Sequence, residues 1–357
     1  MEAIIPDTGA ASAPARHPTV SVSVLLPNYN HAEHIGQALS ALAAQTRPAD
    51  EIIVVDDDST DGSLAVIEPF LAQLPQLRLI RNSANLGVAG SINRALAEAR
   101  STYVVCSAAD DWLRPGFIER MVKTVERFPG LPLYISQCVR FYTESGQLRE
   151  FGPDSELGCW YVGTEPQLVS PLRFRQLLDR QFVWLPLTGA LLDRDAFRQI
   201  GGLDPALRWH SDWFVAYSLA LRSGFAVLPE PHAVFRVSSD SYSGNGMRDP
   251  LQQRAVCVAI YEKLLQPEHR ETLRLLRRHP SAFSPLMRNL LLGLARRPRD
   301  WPFLVALLRW WSFEVLHGRR PGMLRDVVDR WRSTKARYDF GVGEDGGRSA
   351  GQATPER

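Results

Sequence analysis

The chain has 357 residues, 45% of them hydrophobic and 22% charged, which is the composition of a folded soluble protein large enough for two domains, or for one domain with an appendage. Its formal charge of +2 hides an asymmetry: Leu251 to Phe340 holds 18 Lys/Arg against 8 Asp/Glu, a net of +10, leaving a net of −8 elsewhere. Residues 1–19 lack the apolar run of a secretory signal, and no stretch reaches the roughly 18 uninterrupted apolar residues of a spanning helix. The nearest candidate, Trp301 to His317, is too short and contains Arg309 and Glu314. Cys106, Cys138, Cys159 and Cys257 show neither CxxC nor zinc-like spacing, so free, mostly buried thiols in a reducing, cytoplasmic compartment are expected.

In chain order, Val20 to Leu26 reads as a strand closed by Pro27, and Ile35, Leu39 and Leu42 share one helical face. Glu51 to Val55 is a second strand, Leu64, Ile67, Leu71 and Leu74 mark a helix, and Leu77 to Arg81 is a third strand. A helix through Val88, Ile92 and Leu96 then leads to the strand Tyr103 to Cys106. Alternation of this kind predicts an α/β fold with a mostly parallel central sheet, whose ligand crevice lies at the carboxyl ends of the strands. Beyond Pro115 come a helix through Phe117, Met121 and Val125 and a strand from Leu133 to Val139. Glu144 to Pro171 reads as a long loop. Order returns at Leu187 to Leu192, with a helix from about Asp212 to Arg222 and two short strands, Ala226 to Leu228 and Ala233 to Val237. From Leu251 the pattern is helical and Arg-rich, so the expected division is a tail at 1–19, a domain at 20–250, a basic helical region at 251–340 and a tail at 341–357.

Two acidic clusters fall at predicted strand ends: Asp56-Asp57-Asp58 and Asp110-Asp111. Asp is also a common turn and helix-cap residue, so either cluster alone could be local architecture. Three consecutive acids repel one another unless a cation or hydrogen-bond donors relieve them. An acidic pair of hard oxygen ligands suits Mg²⁺ or Mn²⁺, which takes one or two protein carboxylates and completes its shell with substrate phosphates.

The segments Ser21 to Asn30, Gln45-Thr46, Asp50 to Asp57, Asn85-Leu86-Gly87 and Asp110-Asp111, followed by Gly201 to Asp204 and Asp212-Trp213, resemble the ordered motifs of family 2 glycosyltransferases with the GT-A fold. The resemblance covers about Val20 to Val237. It implies an inverting, metal-dependent transferase using a nucleoside-diphosphate sugar, with a UDP- or dTDP-sugar as donor and a glycan or lipid-linked acceptor. It further implies that Pro27 and Tyr29 border the nucleobase, Asp57 bonds the base, Asp110 contacts the ribose, Asp111 holds the metal and Asp212 is the catalytic base. Two departures stand out. Ser211 occupies a position where the family commonly has Glu, which keeps His210 as a second candidate for proton transfer. The QxxRW motif of processive synthases is absent, since Arg208-Trp209 is preceded by Pro205 where Gln would stand; addition of one or a few sugars per encounter is expected.

His31 and His34 lack a third zinc ligand nearby in the sequence. Trp160, Trp184, Trp209 and Trp213 can stack on sugars or pack in the core, and Trp209 and Trp213 flank Asp212. In the basic region, Trp301, Trp310, Trp311 and Trp331 lie among Arg296, Arg297, Arg299, Arg309, Arg319 and Arg320. That pattern suits either peripheral contact of residues 296–331 with the inner face of a membrane or a helix packed back on the catalytic domain. An inactive nucleotide- or glycan-binding module is the competing class. No nucleic-acid motif is present, and the first strand is not followed by GxGxxG.

Overall fold

The computed structural model describes residues 20–150, 164–238 and 241–316. β1 (Val22–Asn28) and β2 (Glu51–Asp56) are buried at every position, as apolar strands covered on both faces must be. They alternate with α1 (Ala32–Ala43), α2 (Ser63–Gln73), β3 (Leu77–Arg81), α3 (Gly87–Glu98) and β4 (Tyr103–Cys106). Ile35, Leu39 and Leu42 of α1 are buried, as their spacing predicts. The four strands run parallel in the order β3-β2-β1-β4, with Asn28 opposite Asp56 and Leu25 opposite Cys106. Their carboxyl ends therefore open on one edge of the sheet.

The chain continues through β5 (Trp112–Leu113), α4 (Phe117–Arg127), β6 (Leu133–Tyr142), β7 (Gln147–Glu150), β8 (Gln167–Val169), α5 (Pro171–Leu178), β9 (Ala190–Asp193), α6 (Arg194–Gln199), a 3₁₀ segment at Pro205–His210, α7 (Ser211–Ser223) and β10 (Phe225–Val237). The sheet is completed as β4-β9-β6-β10-β5, with β9 antiparallel to both neighbours and β6 parallel to β10. Two details differ from the sequence reading. The segment expected as a loop at 144–171 holds β7, a hairpin partner of β6, and β8, which borders β10. Both are short edge strands whose leucines face out, Leu148 at 51% and Leu168 at 52% exposure, so neither carries a buried apolar run. The expected pair of strands around Pro229 and Pro231 is one strand, β10, because the prolines shift the register against β6 without ending the pairing. Trp160 and Cys159 lie outside the described residues.

The helical region comprises α8 (Tyr242–Arg248), α9 (Pro250–Leu264), α10 (Arg270–Arg278), α11 (Met287–Leu294) and α12 (Trp301–Leu316). Asp249 caps α9 by accepting from the amides of Leu251 and Gln252, with Pro250 at the first helical position. Val256, Cys257, Ile260, Tyr261 and Leu264 of α9 are buried, and α9 packs on α11 and on the 3₁₀ segment before α7. α10 packs on α7 and α9. Helices through Leu304 belong to one compact unit with the sheet, and a second unit begins at Val305. Of that second unit the remainder of α12 is described, where the Ser312 hydroxyl donates to the Leu308 carbonyl at 2.8 Å. Among the described residues no helix is long and apolar enough to cross a membrane. Cys106, Cys138 and Cys257 are buried free thiols.

Candidate active site

The acidic turn after β2 divides its labour among its three acids. Asp56 is fully buried and latches β1 to the turn, accepting from Asn28 Nδ2 at 2.9 Å and from the Ser59 amide at 3.2 Å. The Asp57 amide donates to the Asn28 carbonyl at 2.8 Å, and its carboxylate lies at the start of α3. Oδ1 accepts from Asn82 Nδ2 at 2.6 Å and the Leu86 amide at 2.8 Å, while Oδ2 accepts from the Gly87 amide at 2.8 Å. Free amides and the dipole of a helix start favour an anion there, so Asn82, Leu86 and Gly87 are the donor set that relieves the cluster, while Asn85 Oδ1 accepts from the Gly87 amide at 2.9 Å. Three of about four lone-pair directions are used, which leaves one on Oδ2. Asp58 points to solvent in the left-handed region at φ 66°. Beside them Pro27 is buried, Tyr29 is 44% exposed, and Asn28 Oδ1 is buried without a partner among the described residues.

Asp110 and Asp111 follow β4 at the same edge. Gln45 anchors the stretch after them, donating to the carbonyls of Leu113 (3.3 Å) and Arg114 (2.9 Å) and accepting from the Ile118 amide (3.2 Å). Asp111 is buried, and Oδ1 accepts from the Arg236 amide of β10 at 2.8 Å. Burial first, then the neighbouring charge of Asp110, pushes its carboxyl well above the ordinary range, opposed by the bonds and charge of Arg236 and a bond with Thr188. The Arg236 side chain bridges the site: Nε donates to the Asp110 carbonyl at 3.0 Å and a terminal nitrogen to Gln37 Oε1 at 2.7 Å. Its guanidinium lies 5.3 Å from the Trp112 ring centre and 5.1 Å from that of Phe141. His34 feels both Arg236 and Asp110, and burial holds its imidazole below the usual value. The two rings of His31 and His34 are 6.0 Å apart.

These residues fit a divalent cation. Carboxylates are the hard donors that Mg²⁺ or Mn²⁺ takes, and a positive ion would offset the cost of ionising the buried Asp111 beside Asp110. Among the described residues no three His, Cys, Asp or Glu side chains converge as a complete cage, so phosphate and water would fill the remaining positions.

Asp212 stands in the first turn of α7, where Oδ1 accepts from the Trp213 amide at 2.6 Å. Burial pushes its carboxyl up to about 6, opposed by that bond. Its charge, after burial, helps raise the Cys106 thiol at the end of β4 to about 12, and the charge of Asp111 acts likewise on Cys138 of β6. Asp111 and Asp212 thus meet the same edge of the sheet, one beside β6 and the other beside β4. Ser211, where Glu is the family habit, is buried, and its hydroxyl accepts from the Asp204 amide at 2.7 Å. His210 is held by Gln253 of α9: the amide nitrogen lies 2.9 Å from Nε2, which must accept, and burial lowers the imidazole to about 4, keeping it neutral.

The amide oxygen of Gln253 accepts from Trp209 Nε1 at 2.6 Å. Trp209 also meets Tyr242 edge-on at 5.8 Å and lies over Gly246 of α8, where a Cβ would come within 1.9 Å of the ring. Arg208, just before it, takes the uncommon backbone angles φ 45° and ψ −124° and donates to Gln252 at 2.7 Å. Trp213 differs from its neighbour: it is only 7% exposed and stacks on Tyr217 at 4.8 Å, so it is core. Trp184 is half-buried, 6.4 Å from Phe235. Sequence reasoning missed Arg236, Gln37, Thr188, Gln253 and Gly246. Each reaches the site from a distant segment, and none sits in a local pattern that announces it.

Residues 23–200 match the model of glycosyl transferase family 2. An uncharacterized protein of Mycobacterium tuberculosis is 31% identical over 219 residues, which is 60% of this chain and 58% of that relative. The uncharacterized glycosyltransferase EpsJ of Bacillus subtilis is 28% identical over 163 residues, 46% of this chain and 45% of the relative. The chain spans about half the length of these curated relatives. The crystal structure of S. aureus TarS 1-349 in complex with UDP-GlcNAc superposes with a TM-score of 0.55 at 16% identity, covering 82% of this chain and 80% of that one. At that identity the likeness shows the fold, a GT-A sheet flanked by helices. With the family model and the ordered motifs in agreement, the chain belongs to glycosyl transferase family 2.

Proposed function

We propose that the protein is an inverting, metal-dependent glycosyltransferase that moves a sugar from a nucleoside-diphosphate sugar to a hydroxyl of a glycan or lipid-linked acceptor, in the assembly of cell-surface polysaccharide or glycoconjugate. One observation carries this reading: the buried Asp111 and the half-buried Asp212 lie toward one edge of the sheet, and Asp212 is pushed up to about 6, where a carboxylate can accept a proton at neutral pH. The donor follows the precedent of TarS, whose crystal structure holds UDP-GlcNAc, together with the motifs.

In this reading Pro27 and Tyr29 flank the base, and the free direction on Asp57 Oδ2, with the unpaired Asn28 Oδ1, accepts its N–H groups. Asp110 contacts the ribose, and Asp111 would hold Mg²⁺ or Mn²⁺, which supplies positive charge to the diphosphate. Asp212 takes the proton from the attacking acceptor hydroxyl. The sugar passes through an oxocarbenium-like state, and a single displacement inverts the anomeric centre. His210, neutral and bonded to Gln253, orients the loop that delivers Asp212. Transfer of one or a few sugars per encounter follows from the absent QxxRW. The assay is Mn²⁺-dependent release of nucleoside diphosphate from a panel of UDP-, dTDP- and GDP-sugars. A chain that binds these donors and never releases the diphosphate is a binding module, and the enzyme reading fails.

Peripheral contact with the inner face of a membrane through residues 296–331 belongs to the same proposal. Within the described part, Arg296, Arg299, Trp301 and Arg309 are exposed. Cell fractionation of the full chain against one ending at residue 295 tests it. Equal solubility of both in low salt removes membrane contact from the reading.

A further inference from the structure

Helix α10 has the sequence Arg270-Glu271-Thr272-Leu273-Arg274-Leu275-Leu276-Arg277-Arg278. Residues 270, 274, 277 and 278 recur at the spacing that gathers side chains on one side of a helix. Those four arginines line an open cavity of about 530 Å³, whose remaining walls are Leu265 and Leu273. Arg274 is committed to Glu271 by two bonds, at 2.9 and 2.7 Å. Arg277 donates to the Tyr261 hydroxyl at 3.1 Å and lies 5.8 Å from the Phe303 ring centre. Arg270 and Arg278 are exposed, and their guanidinium groups make no hydrogen bond to any described residue. Glu271 is the single carboxylate that the helix sets against four cations.

Four guanidinium groups around one cavity make a receptor for phosphate oxygens, since the planar fork binds them in pairs. The leucines give the same cavity an apolar wall, which an inorganic ion would leave unused. We propose that this cavity binds the phosphate head of an acidic amphiphile, a phosphate or diphosphate ester of an apolar alcohol, with Arg270 and Arg278 on the oxygens and Leu265 and Leu273 against the first carbons of the tail. The cavity is separate from the donor site. Arg222, ten residues after Asp212 on α7, donates to Thr272 Oγ1 at 3.3 Å, and ten helical residues span about 15 Å. The inference goes beyond the transferase reading, and its test needs no turnover.

The test is calorimetric titration of the full chain with octyl phosphate below its micelle concentration, inorganic phosphate, and octanol. Octyl phosphate is expected to bind at least about tenfold more tightly than either of the others, and the double substitution Arg270→Gln/Arg278→Gln to weaken it by about tenfold or more. Glu271→Gln, which removes the competing anion, is expected to strengthen it. Both changes are at exposed positions, and thermal melting checks that the variants fold. Sedimentation with phosphatidylcholine vesicles, plain or doped with phosphatidic acid, separates two sources of the same chemistry. Doped-vesicle binding that the double substitution abolishes identifies a bilayer lipid; octyl phosphate binding without vesicle binding identifies a single lipid-linked molecule. Equal octyl phosphate affinity in wild type and the folded double variant overturns the proposal. So does octanol binding as well as octyl phosphate, or an RNA oligomer displacing octyl phosphate at lower concentration than any lipid.

Discussion

Asp212 carries a proton that the folded protein keeps to higher pH than an unfolded chain would, because burial disfavours its ionised form. The folded carboxyl titrates at about 6 against 3.8 for the free side chain, so between those values the native state binds more protons than the unfolded one. Stability from this group is therefore present at acid pH and falls as pH rises toward 6, while its capacity to accept a proton grows over the same interval. Transfer rate is expected to climb with pH to a plateau above about 6, measured at saturating donor. Asp212→Asn is expected to bind donor normally and to lose transfer by ~10²-fold or more. The same variant should be more stable than wild type at pH 8, by up to ~2 kcal/mol. Wild-type transfer by this variant would remove Asp212 as the base. Asp111→Ala is expected to abolish the Mn²⁺ dependence of nucleotide binding in a thermal-shift titration, while Asp58→Ala, at an exposed position, leaves it unchanged.

At the scale of elements, the loop before α7 is fastened from outside the sheet. Gln253 reaches from α9 to hold both Trp209 and His210, and Gly246 of α8 leaves room for the indole. Gln253→Leu leaves two half-buried partners without their bonds and is expected to cost about 1–3 kcal/mol in denaturant unfolding and to lower transfer without changing donor affinity. Gly246→Ala drives a methyl into the Trp209 ring and is expected to destabilise by ~1–3 kcal/mol. Both expectations rest on contacts that no sequence window displays. The alternating β/α core was legible because each of its strands is an apolar run and each helix repeats at its own period. β7 and β8 were not, since short edge strands with outward leucines carry no buried apolar run. The continuity of β10 through Pro229 and Pro231 was hidden because proline marks breaks in pairing, and here the break is a bulge. The acidic positions could be named from sequence; that Asp57 has three partners within the protein while Asp58 has solvent could not, because the donors come from Asn82, Leu86 and Gly87 on the next unit.

The whole molecule joins an acidic majority to a basic helical region, and the compact unit that holds the sheet extends to Leu304. α9 to α11 contribute Val256, Ile260, Tyr261, Leu264, Leu276, Leu290 and Leu294 to the buried set. A chain ending at Pro250 is therefore expected to lose cooperative thermal unfolding and to aggregate, whereas one ending at residue 316 should melt as a folded protein. A truncated chain that melts like the full one would show that the sheet needs no support from these helices. The clasp of Gln253 on Trp209 and His210 also constrains any attempt to recombine relatives. A chimaera that takes its first half from this chain and everything after residue 241 from another family member would, wherever that parent lacks an amide for Gln253, inherit an indole with no partner and, wherever it has a larger residue for Gly246, no room to stand. Positions 208–210, 246 and 253 must travel together, so the crossover that preserves the loop lies before Arg208 and not at the seam between the sheet and the helices.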